Sequence, residues 1–349
     1  MTTHLIGAFV FPDAWSDLAR FRERLTALRD FGVNAIMTET ASYDAAAIEA
    51  VHDEGLAFHA GVACFSDHAS NFAEIRARPE LWPVLESGDR RAQMEWYLGL
   101  TPTDRHHQTE VLTLIEAIAT TYHIDGLFLD FVRWPVHWEL EFRPGRSRPP
   151  DSSFDAATVA LFAKSAGLAI PRELDTAAAQ AAFIHKNYAG AWADFKCKVV
   201  TDFVADARAA LKASRASAEF GAYVVPDIEG MAERLTGQRL ADLTPIVDRI
   251  SPMLYHNILL HPPAWVGEEL ARVTSVAGSK TLPVIQADFN RGPASAGDWG
   301  PPMSLDNWQA VLAEVERRPD LSGLIVFPGT SLLGDGRGGA LRSMVSGWR

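Results

Sequence analysis

The sequence is poor in cysteine and in positive charge, and each shortage excludes a class of protein. Its 349 residues include two cysteines, Cys64 and Cys197, which lie far apart and form no CxxC motif, so neither a disulfide framework nor a zinc knuckle is predicted. We expect both to be reduced, buried thiols. The 32 lysines and arginines are outnumbered by 44 aspartates and glutamates, and the net charge of -12 argues against nucleic acid or an anionic membrane as the partner.

Long apolar runs are also lacking. The run at residues 5–11, LIGAFVF, is far shorter than the roughly 18 residues of a membrane span, and no basic segment with a cleavage site accompanies it. We therefore expect a cytoplasmic protein. The hydrophobic fraction of 48% and the charged fraction of 22% are those of a globular protein rather than a disordered or fibrous one.

Eight short apolar runs alternate with longer helical stretches along the chain. The runs are rich in Val, Ile, Leu and Phe, as expected for parallel strands that are buried on both faces. The predicted strands are residues 4–11, 33–38, 57–65, 126–132, 219–225, 249–256, 281–288 and 323–327. Alternating strands and helices favour a parallel sheet, and eight such strands close a barrel, so the sequence predicts an α/β fold, one (β/α)8 barrel over residues 1–349.

The stretches between the strands show helical periodicity. In residues 15–31, for example, Leu18, Phe21, Leu25 and Leu28 share one helix face, and Gly32 follows. The other predicted helices are residues 44–54, 109–121, 176–212 and 306–317.

Two segments break this rhythm. Residues 135–150 are rich in Pro, Arg and aromatic residues, and residues 290–302 are rich in Gly and Pro. They predict extended loops after strands 4 and 7, with an insertion at about 136–175. In barrels of this kind, loops after the carboxyl ends of the strands carry the functional groups.

The string DGLFLDFVRWP, residues 125–135, is the most informative in the chain. Asp130 falls near the carboxyl end of the fourth predicted strand, with Arg133 and Trp134 just beyond it. A charged residue in an apolar strand is costly unless it has partners or a function, so Asp130 either pairs structurally with Arg133 or is an active-site carboxylate.

This string resembles the DGLxLDyxRyP signature of the uncharacterised, family-10-like group of TIM-barrel glycoside hydrolases. ISPMLYHN, residues 250–257, resembles the sixth-strand motif of that group, in which a Met and a Tyr face the barrel lumen. LPVIQADF, residues 282–289, resembles its seventh strand, where Gln286 would lie near the substrate, and GLIVFPG fits the closing strand. The resemblance implies a TIM barrel that cleaves glycosidic bonds.

A weaker resemblance is to the DGxDxDxE motif of chitinase-type family 18 barrels. The chain has Phe128 and Val132 where that motif has an Asp and the catalytic Glu, so only Asp130 carries over. This departure puts a substrate-assisted chitinase mechanism in doubt.

Cleavage of a glycosidic bond normally requires two carboxyl groups, one as the acid and the other as nucleophile or base. Carboxylates at other predicted strand ends are Glu39, Asp227 and Asp288. Asp288 shares strand parity with Gln286, so both side chains should face the same side. Asp288 and Glu39 are the leading partners for Asp130. Alternatively, each of these carboxylates caps a loop or is a surface charge.

Sugar sites combine flat aromatic faces with polar atoms. Side chains at predicted strand exits that could bind substrate are Trp134, Trp138, Tyr223, Asp227, Tyr255, His256, Gln286 and Trp299. Arg133 could hold an acidic substrate group or orient Asp130, and we favour orientation. For each aromatic residue, ordinary packing is the alternative.

Other chemistries have little support. The sequence has no GxSxG elbow, no phosphate-binding P-loop, no GxGxxG motif, and no HxH, HExxH or HxxxH spacing among its 11 histidines. We therefore expect no cofactor and no metal. The sequence predicts a glycoside hydrolase or transglycosidase with a carbohydrate substrate; the alternatives are a non-catalytic carbohydrate-binding barrel and a metal-dependent barrel hydrolase.

Overall fold

The computed structural model describes residues 4–39, 43–67, 72–94, 97–288 and 299–348. Its eight parallel strands form a closed barrel in sequence order, in which β8 pairs with β1. The strands are β1 (Leu5–Phe9), β2 (Ala35–Met37), β3 (Ala57–Ala63), β4 (Gly126–Asp130), β5 (Glu219–Val224), β6 (Arg249–Leu254), β7 (Val284–Gln286) and β8 (Gly323–Phe327). The predicted (β/α)8 fold is confirmed.

Helices surround the barrel and fill the connections between its strands. They are α1 (Leu18–Asp30), α2 (Ala45–Asp53), α3 (Ala73–Ala77), α4 (Arg105–Thr121), α5 (Trp138–Glu141), α6 (Ala156–Ala166), α7 (Ala177–Ser214), α8 (Leu240–Leu243), α9 (Ala264–Ala277), α10 (Leu305–Glu316) and α11 (Arg337–Ser346). Several begin at a side chain that accepts a hydrogen bond from the helix's first free N–H groups, as Asp104 does from the His107 N–H at 2.7 Å.

The first seven predicted strands are longer than the observed ones because their apolar runs continue into the loops, whereas the eighth, residues 323–327, matches β8 at both ends. The seventh prediction, residues 281–288, shrinks to Val284–Gln286, preceded by Pro283, which has no N–H to donate to a ladder. Asp288 therefore lies beyond the strand, and the parity argument that paired it with Gln286 fails. Similarly, Phe11 lies after β1 and not within it.

The connection after β3 is much longer than expected. Residues 64–104 contain α3, a 3-10 turn at Pro79–Leu81 and isolated bridges, including one between Leu85 and Ser152 in the connection after β4. These residues lack helical or strand periodicity, so the sequence analysis predicts no element within this segment.

The connection after β4 carries α5, α6 and the 38-residue α7, which agrees with the predicted helix at 176–212 and kinks at Tyr188. Residues of α6, of the first half of α7 and of the segment before α6 form a second apolar cluster beside the barrel core. Its members are Phe154, Val159, Phe162, Ala181, Ile184 and Trp192. Most of the predicted loop at 290–302 lies outside the described residues.

In the described ranges no helix is both long and apolar enough to cross a membrane. Cys64 and Cys197 are free and buried, as expected.

Candidate active site

A cavity of about 200 Å³ opens at the carboxyl ends of the strands. This is the end of the barrel where functional side chains gather. Its lining residues are Phe9, Phe11, Glu39, Asp130, Phe131, Arg133, Trp138, Glu139, Tyr223, Met253, Tyr255, Trp299 and Phe327. Three carboxylates and one guanidinium therefore meet in one cavity with a large aromatic surface.

Asp130 is the last residue of β4, and its side chain borders the cavity. Burial raises the pKa of this carboxyl to about 6; the Arg133 charge and the hydrogen bond from the Phe131 N–H oppose the shift, and Glu139 adds to it. The Phe131 N–H lies 2.7 Å from Asp130 Oδ1. Asp130 can therefore hold a proton near neutral pH and donate it to a bound molecule.

The backbone turns sharply directly after Asp130. Phe131 has φ of 49°, in the left-handed region that non-glycine residues rarely adopt, and the Arg133 N–H donates to the Phe131 carbonyl at 2.8 Å. Such strained turns concentrate at functional sites. Here the turn follows Asp130 directly, and Asp130, Phe131 and Arg133 all line the cavity.

Arg133 is almost fully enclosed, with 1% of its surface exposed. Its guanidinium carbon lies 4.8 Å from the centre of the Phe131 ring and 5.5 Å from that of Tyr97. Within the described ranges, Nε and Nη2 have no hydrogen-bond partner. Both atoms are covered by protein, and the charge of the guanidinium acts on the neighbouring Asp130.

Glu139 lies in α5, within the loop that follows β4, and is 7% exposed. Its Oε2 lies 3.2 Å from His137 Nδ1, without the alignment of a hydrogen bond, and has no hydrogen-bond partner among the described residues. The charge of Glu139 contributes to the raised pKa of Asp130, and both residues line the cavity.

Sequence reasoning missed Glu139. It lies in the Pro- and Arg-rich segment that was treated as an irregular insertion, where no strand-end argument applies. The neighbouring Trp138, which was noted as an aromatic candidate, lines the same cavity and was the available signal.

Glu39, Tyr223 and Tyr255 also line the cavity, as predicted for strand-exit residues. The pKa values of the Tyr223 and Tyr255 hydroxyls lie well above the usual value, mainly because both side chains are buried and also because the charge of Asp130 acts on them. In the described part of the chain, the Tyr223 hydroxyl and the Trp138 indole N–H have no hydrogen-bond partner. Both atoms are covered by neighbouring groups.

Comparison with known proteins supports the fold. No family model matches the chain, and no curated protein matches its sequence. Among solved structures, the PgaB (BpsB) glycoside hydrolase domain from Bordetella bronchiseptica is similar, at 14% identity over 98% of each chain and a TM-score of 0.70.

Two further solved structures are similar in the same way. The catalytic domain of β-amylase from Paenibacillus polymyxa is 13% identical, with 100% of this chain and 99% of that chain covered and a TM-score of 0.66. A β-galactosidase from the psychrophilic Marinomonas ef1 is 11% identical, with 93% of this chain and 54% of that chain covered and a TM-score of 0.64. The structural neighbours are glycoside hydrolases with the same barrel, and at these identities the likeness shows the fold. The family-10-like signature stays a prediction.

Several predicted site residues lie away from the cavity lining. Trp134 is fully buried, and its indole N–H donates to the Lys196 carbonyl at 3.1 Å. Asp227 accepts a hydrogen bond from the Ala232 N–H at 2.9 Å, as a loop cap does. The structure gives both residues a packing or capping contact.

His256 and Gln286 are also enclosed beside the cavity. His256 Nε2 lies 2.8 Å from Asn307 Oδ1. Gln286 accepts from the Ile258 N–H at 3.0 Å and donates to the Trp299 carbonyl at 3.2 Å. Gln286 therefore holds the backbone of Trp299, which does line the cavity.

Asp288 lies outside the lining as well. Its Oδ1 is 3.4 Å from the Met303 N–H, and its Oδ2 is 3.5 Å from Arg337 Nη2. These contacts hold the chain that follows β7 and leave Asp288 out of the group formed by Asp130 and Glu139.

A metal-dependent reaction would require a set of ligands. In the described residues, one group has the spacing for an ion: Glu74, His107 and Glu110. The guanidinium of Arg78 already bonds Glu74 at 2.8 Å and Glu110 at 2.6 Å. This group is an ion-pair cluster around Arg78, and it is not part of the cavity lining.

Proposed function

We propose that this protein is a glycosidase whose acid is Asp130 and whose second carboxyl is Glu139. The observation that carries the proposal is the pairing of a carboxyl with a pKa of about 6 and a second, nearly buried carboxyl at one cavity. Two carboxyl groups in different environments are the usual equipment for cleavage of a glycosidic bond.

The division of labour follows from the environment of each group. Protonated Asp130 donates its proton to the glycosidic oxygen as the bond breaks, and Glu139 stabilises the positive charge that develops on the sugar, as nucleophile or as base for water. Transfer to another alcohol in place of water would use the same groups.

The orphan polar atoms at the cavity wall supply the sugar-binding contacts. Arg133, Tyr223 and Trp138 carry donors that no described residue satisfies. Small shifts of the covering side chains would expose these donors to the hydroxyl oxygens of a sugar. Glu39 also lines the cavity, and its carboxylate oxygens can accept from hydroxyl groups. The acidic partner Asp288 that the sequence favoured has no place in this arrangement.

The test compares the substitutions Asp130→Asn and Glu139→Gln with the wild type on a panel of aryl glycosides of both anomers. We expect each to lower kcat by about two to four orders of magnitude, as loss of a proton-transfer group does, with sugar binding retained. Asp202→Asn is the matched control, because Asp202 lies on the surface of α7 in an ion pair with Lys198.

Two outcomes would contradict the proposal. Turnover that survives Asp130→Asn would remove the acid from its role. Sugar binding without turnover by the wild-type protein would instead favour the carbohydrate-binding barrel.

A further inference from the structure

The cavity has two chemically different sides. Asp130, Arg133, Glu139 and Tyr223 come from β4, its loop and β5. The arc from β6 through β8 to β1 contributes a mostly apolar wall, which consists of Phe9, Phe11, Met253, Tyr255, Trp299 and Phe327. Tyr255 joins the two sides, because its ring lies 5.4 Å from that of Trp138 and its hydroxyl is influenced by the charge of Asp130. Glu39, after β2, adds a third carboxylate to the lining. A ligand that spans the cavity therefore meets polar donors and acids at one end and hydrocarbon at the other.

The rings of the apolar wall form one continuous surface around Phe327. The centre of its ring lies 4.9 Å from that of Tyr255, in a stacked pair, and 5.2 Å from that of Phe9. Phe11 and Trp299 follow at 5.9 Å and 6.1 Å. The wall is thus a packed aromatic face that is broad enough for a ring of a ligand.

The apolar wall has few polar atoms. Among its six side chains, only Tyr255 and Trp299 carry a hydroxyl or an N–H group. The orphan donors of Arg133, Tyr223 and Trp138 belong to the other lining residues. A second sugar ring could stack its C–H face on this wall, but its hydroxyls would lose water and find few replacements, whereas an apolar group has no such hydroxyls to desolvate.

We propose that the substrate is a glycoside of an apolar alcohol, with the sugar at the polar side and the alcohol against the apolar wall. The inference rests on the proposed function. The glycosidic C–O bond breaks, and the alcohol leaves with the proton of Asp130. Water supplies the hydroxyl of the released sugar and the proton that restores Asp130.

The experiment uses alcohols of nearly equal acidity, so that leaving-group chemistry does not decide the result. Hexose glycosides of 2-phenylethanol and of methanol, in both anomers, are compared with disaccharides of the same sugar. We expect kcat/KM for the phenylethyl glycoside to exceed that for the methyl glycoside at least about tenfold, because burial of a phenyl ring is worth roughly that factor or more. The disaccharide should be the poorer substrate than the phenylethyl glycoside.

A pair of variants locates the effect in the cavity. Phe11 and Phe31 are both half-buried and packed against the main core, but only Phe11 lines the cavity. Phe11→Ala should lower kcat/KM for the phenylethyl glycoside about tenfold and leave that for the methyl glycoside within about twofold. Phe31→Ala should leave kcat/KM unchanged for both glycosides.

The outcomes separate this inference from the proposed function. Hydrolysis of disaccharides at rates equal to or above those of the phenylethyl glycosides, or an equal loss for both alcohols in Phe11→Ala, overturns the apolar-alcohol assignment while the glycosidase stands. If no glycoside is hydrolysed, calorimetry measures binding of the two glycosides to the Asp130→Asn variant. Tighter binding of the phenylethyl than of the methyl glycoside, with a negative heat-capacity change, supports an apolar group at the apolar wall. Equal binding or none overturns it.

Discussion

Two enclosed aspartates show how their neighbours determine whether a carboxyl keeps its proton. Burial opposes ionisation of both Asp130 and Asp151. Asp151 nevertheless has a pKa of about 2, because the Lys196 ammonium lies 2.5 Å away and Trp192 donates a hydrogen bond at 2.9 Å. Asp130 receives one hydrogen bond, from the Phe131 N–H, and its pKa rises to about 6. Asp151 is therefore ionised in a buried ion pair, whereas Asp130 keeps its proton to a higher pH, as its proposed role as an acid requires.

Asp130→Asn should make the protein more stable at pH 8. The raised pKa means that the folded state binds the proton more tightly than the unfolded state, so wild-type stability falls as the pH rises from about 4 to 6 and is constant above that range. The shift from 3.8 to about 6 corresponds to at most about 3 kcal/mol, and the asparagine variant escapes this loss. Urea unfolding at pH 4 and pH 8 measures it, and a difference between variant and wild type that is the same at both pH values would contradict it.

At the scale of the element, the loop after β4 links the cavity to the second apolar cluster. Trp134 donates to the carbonyl of Lys196 on α7, and the Lys196 ammonium lies 5.3 Å from the centre of the Trp134 ring. The same ammonium bonds Asp151 beside the second cluster. Trp134 therefore joins the end of the site motif to α7, which is a structural task that the motif alone did not reveal.

Lys196→Met should destabilise the protein by about 3–5 kcal/mol, because it leaves Asp151 buried without its counter-charge. Hydrogen exchange should accelerate in α6 and in the first half of α7. Lys198→Met is the control on the same helix, since Lys198 is exposed and pairs with Asp202, and it should change stability by less than about 1 kcal/mol. Equal losses for the two variants would show that the buried pair does not hold this element.

At the scale of the whole molecule, the number and order of the barrel strands could be predicted, because parallel strands that are buried on both faces consist of continuous apolar residues. The site was harder. Asp130 was visible as a charge at the end of such a run, whereas Glu139 lies in an aperiodic loop whose path depends on contacts far along the chain. The elements in the connection at residues 64–104 were not predicted because that segment is also aperiodic. The predicted strands extend too far where an apolar residue that follows the strand, such as Phe11, lines the cavity and does not pair in the sheet.

Closure of the barrel depends on Gly323, which pairs with Leu5 where β8 meets β1. Its φ is 141°, and a Cβ at this position would lie 1.9 Å from the Leu5 carbonyl oxygen. Gly323→Ala should therefore cost at least about 3 kcal/mol in the free energy of unfolding, as strain and backbone clash combine.

Gly339→Ala is the matched control for closure. Gly339 lies in α11 with open space at its Cβ position, so alanine there should be neutral or stabilise by up to about 1 kcal/mol. Equilibrium unfolding in denaturant compares the two variants. A Gly323→Ala protein as stable as the wild type would show that the barrel tolerates a side chain at this seam.

The pH dependence of kcat/KM on a hydrolysed glycoside tests the central claim most directly, because it reports the acid of the free enzyme. With Asp130 as the proton donor, kcat/KM should fall about tenfold per pH unit above a midpoint near pH 6, since the carboxyl then loses its proton. The same descending limb should appear in Asp202→Asn. A kcat/KM that stays constant or rises between pH 6 and pH 8 would contradict the account.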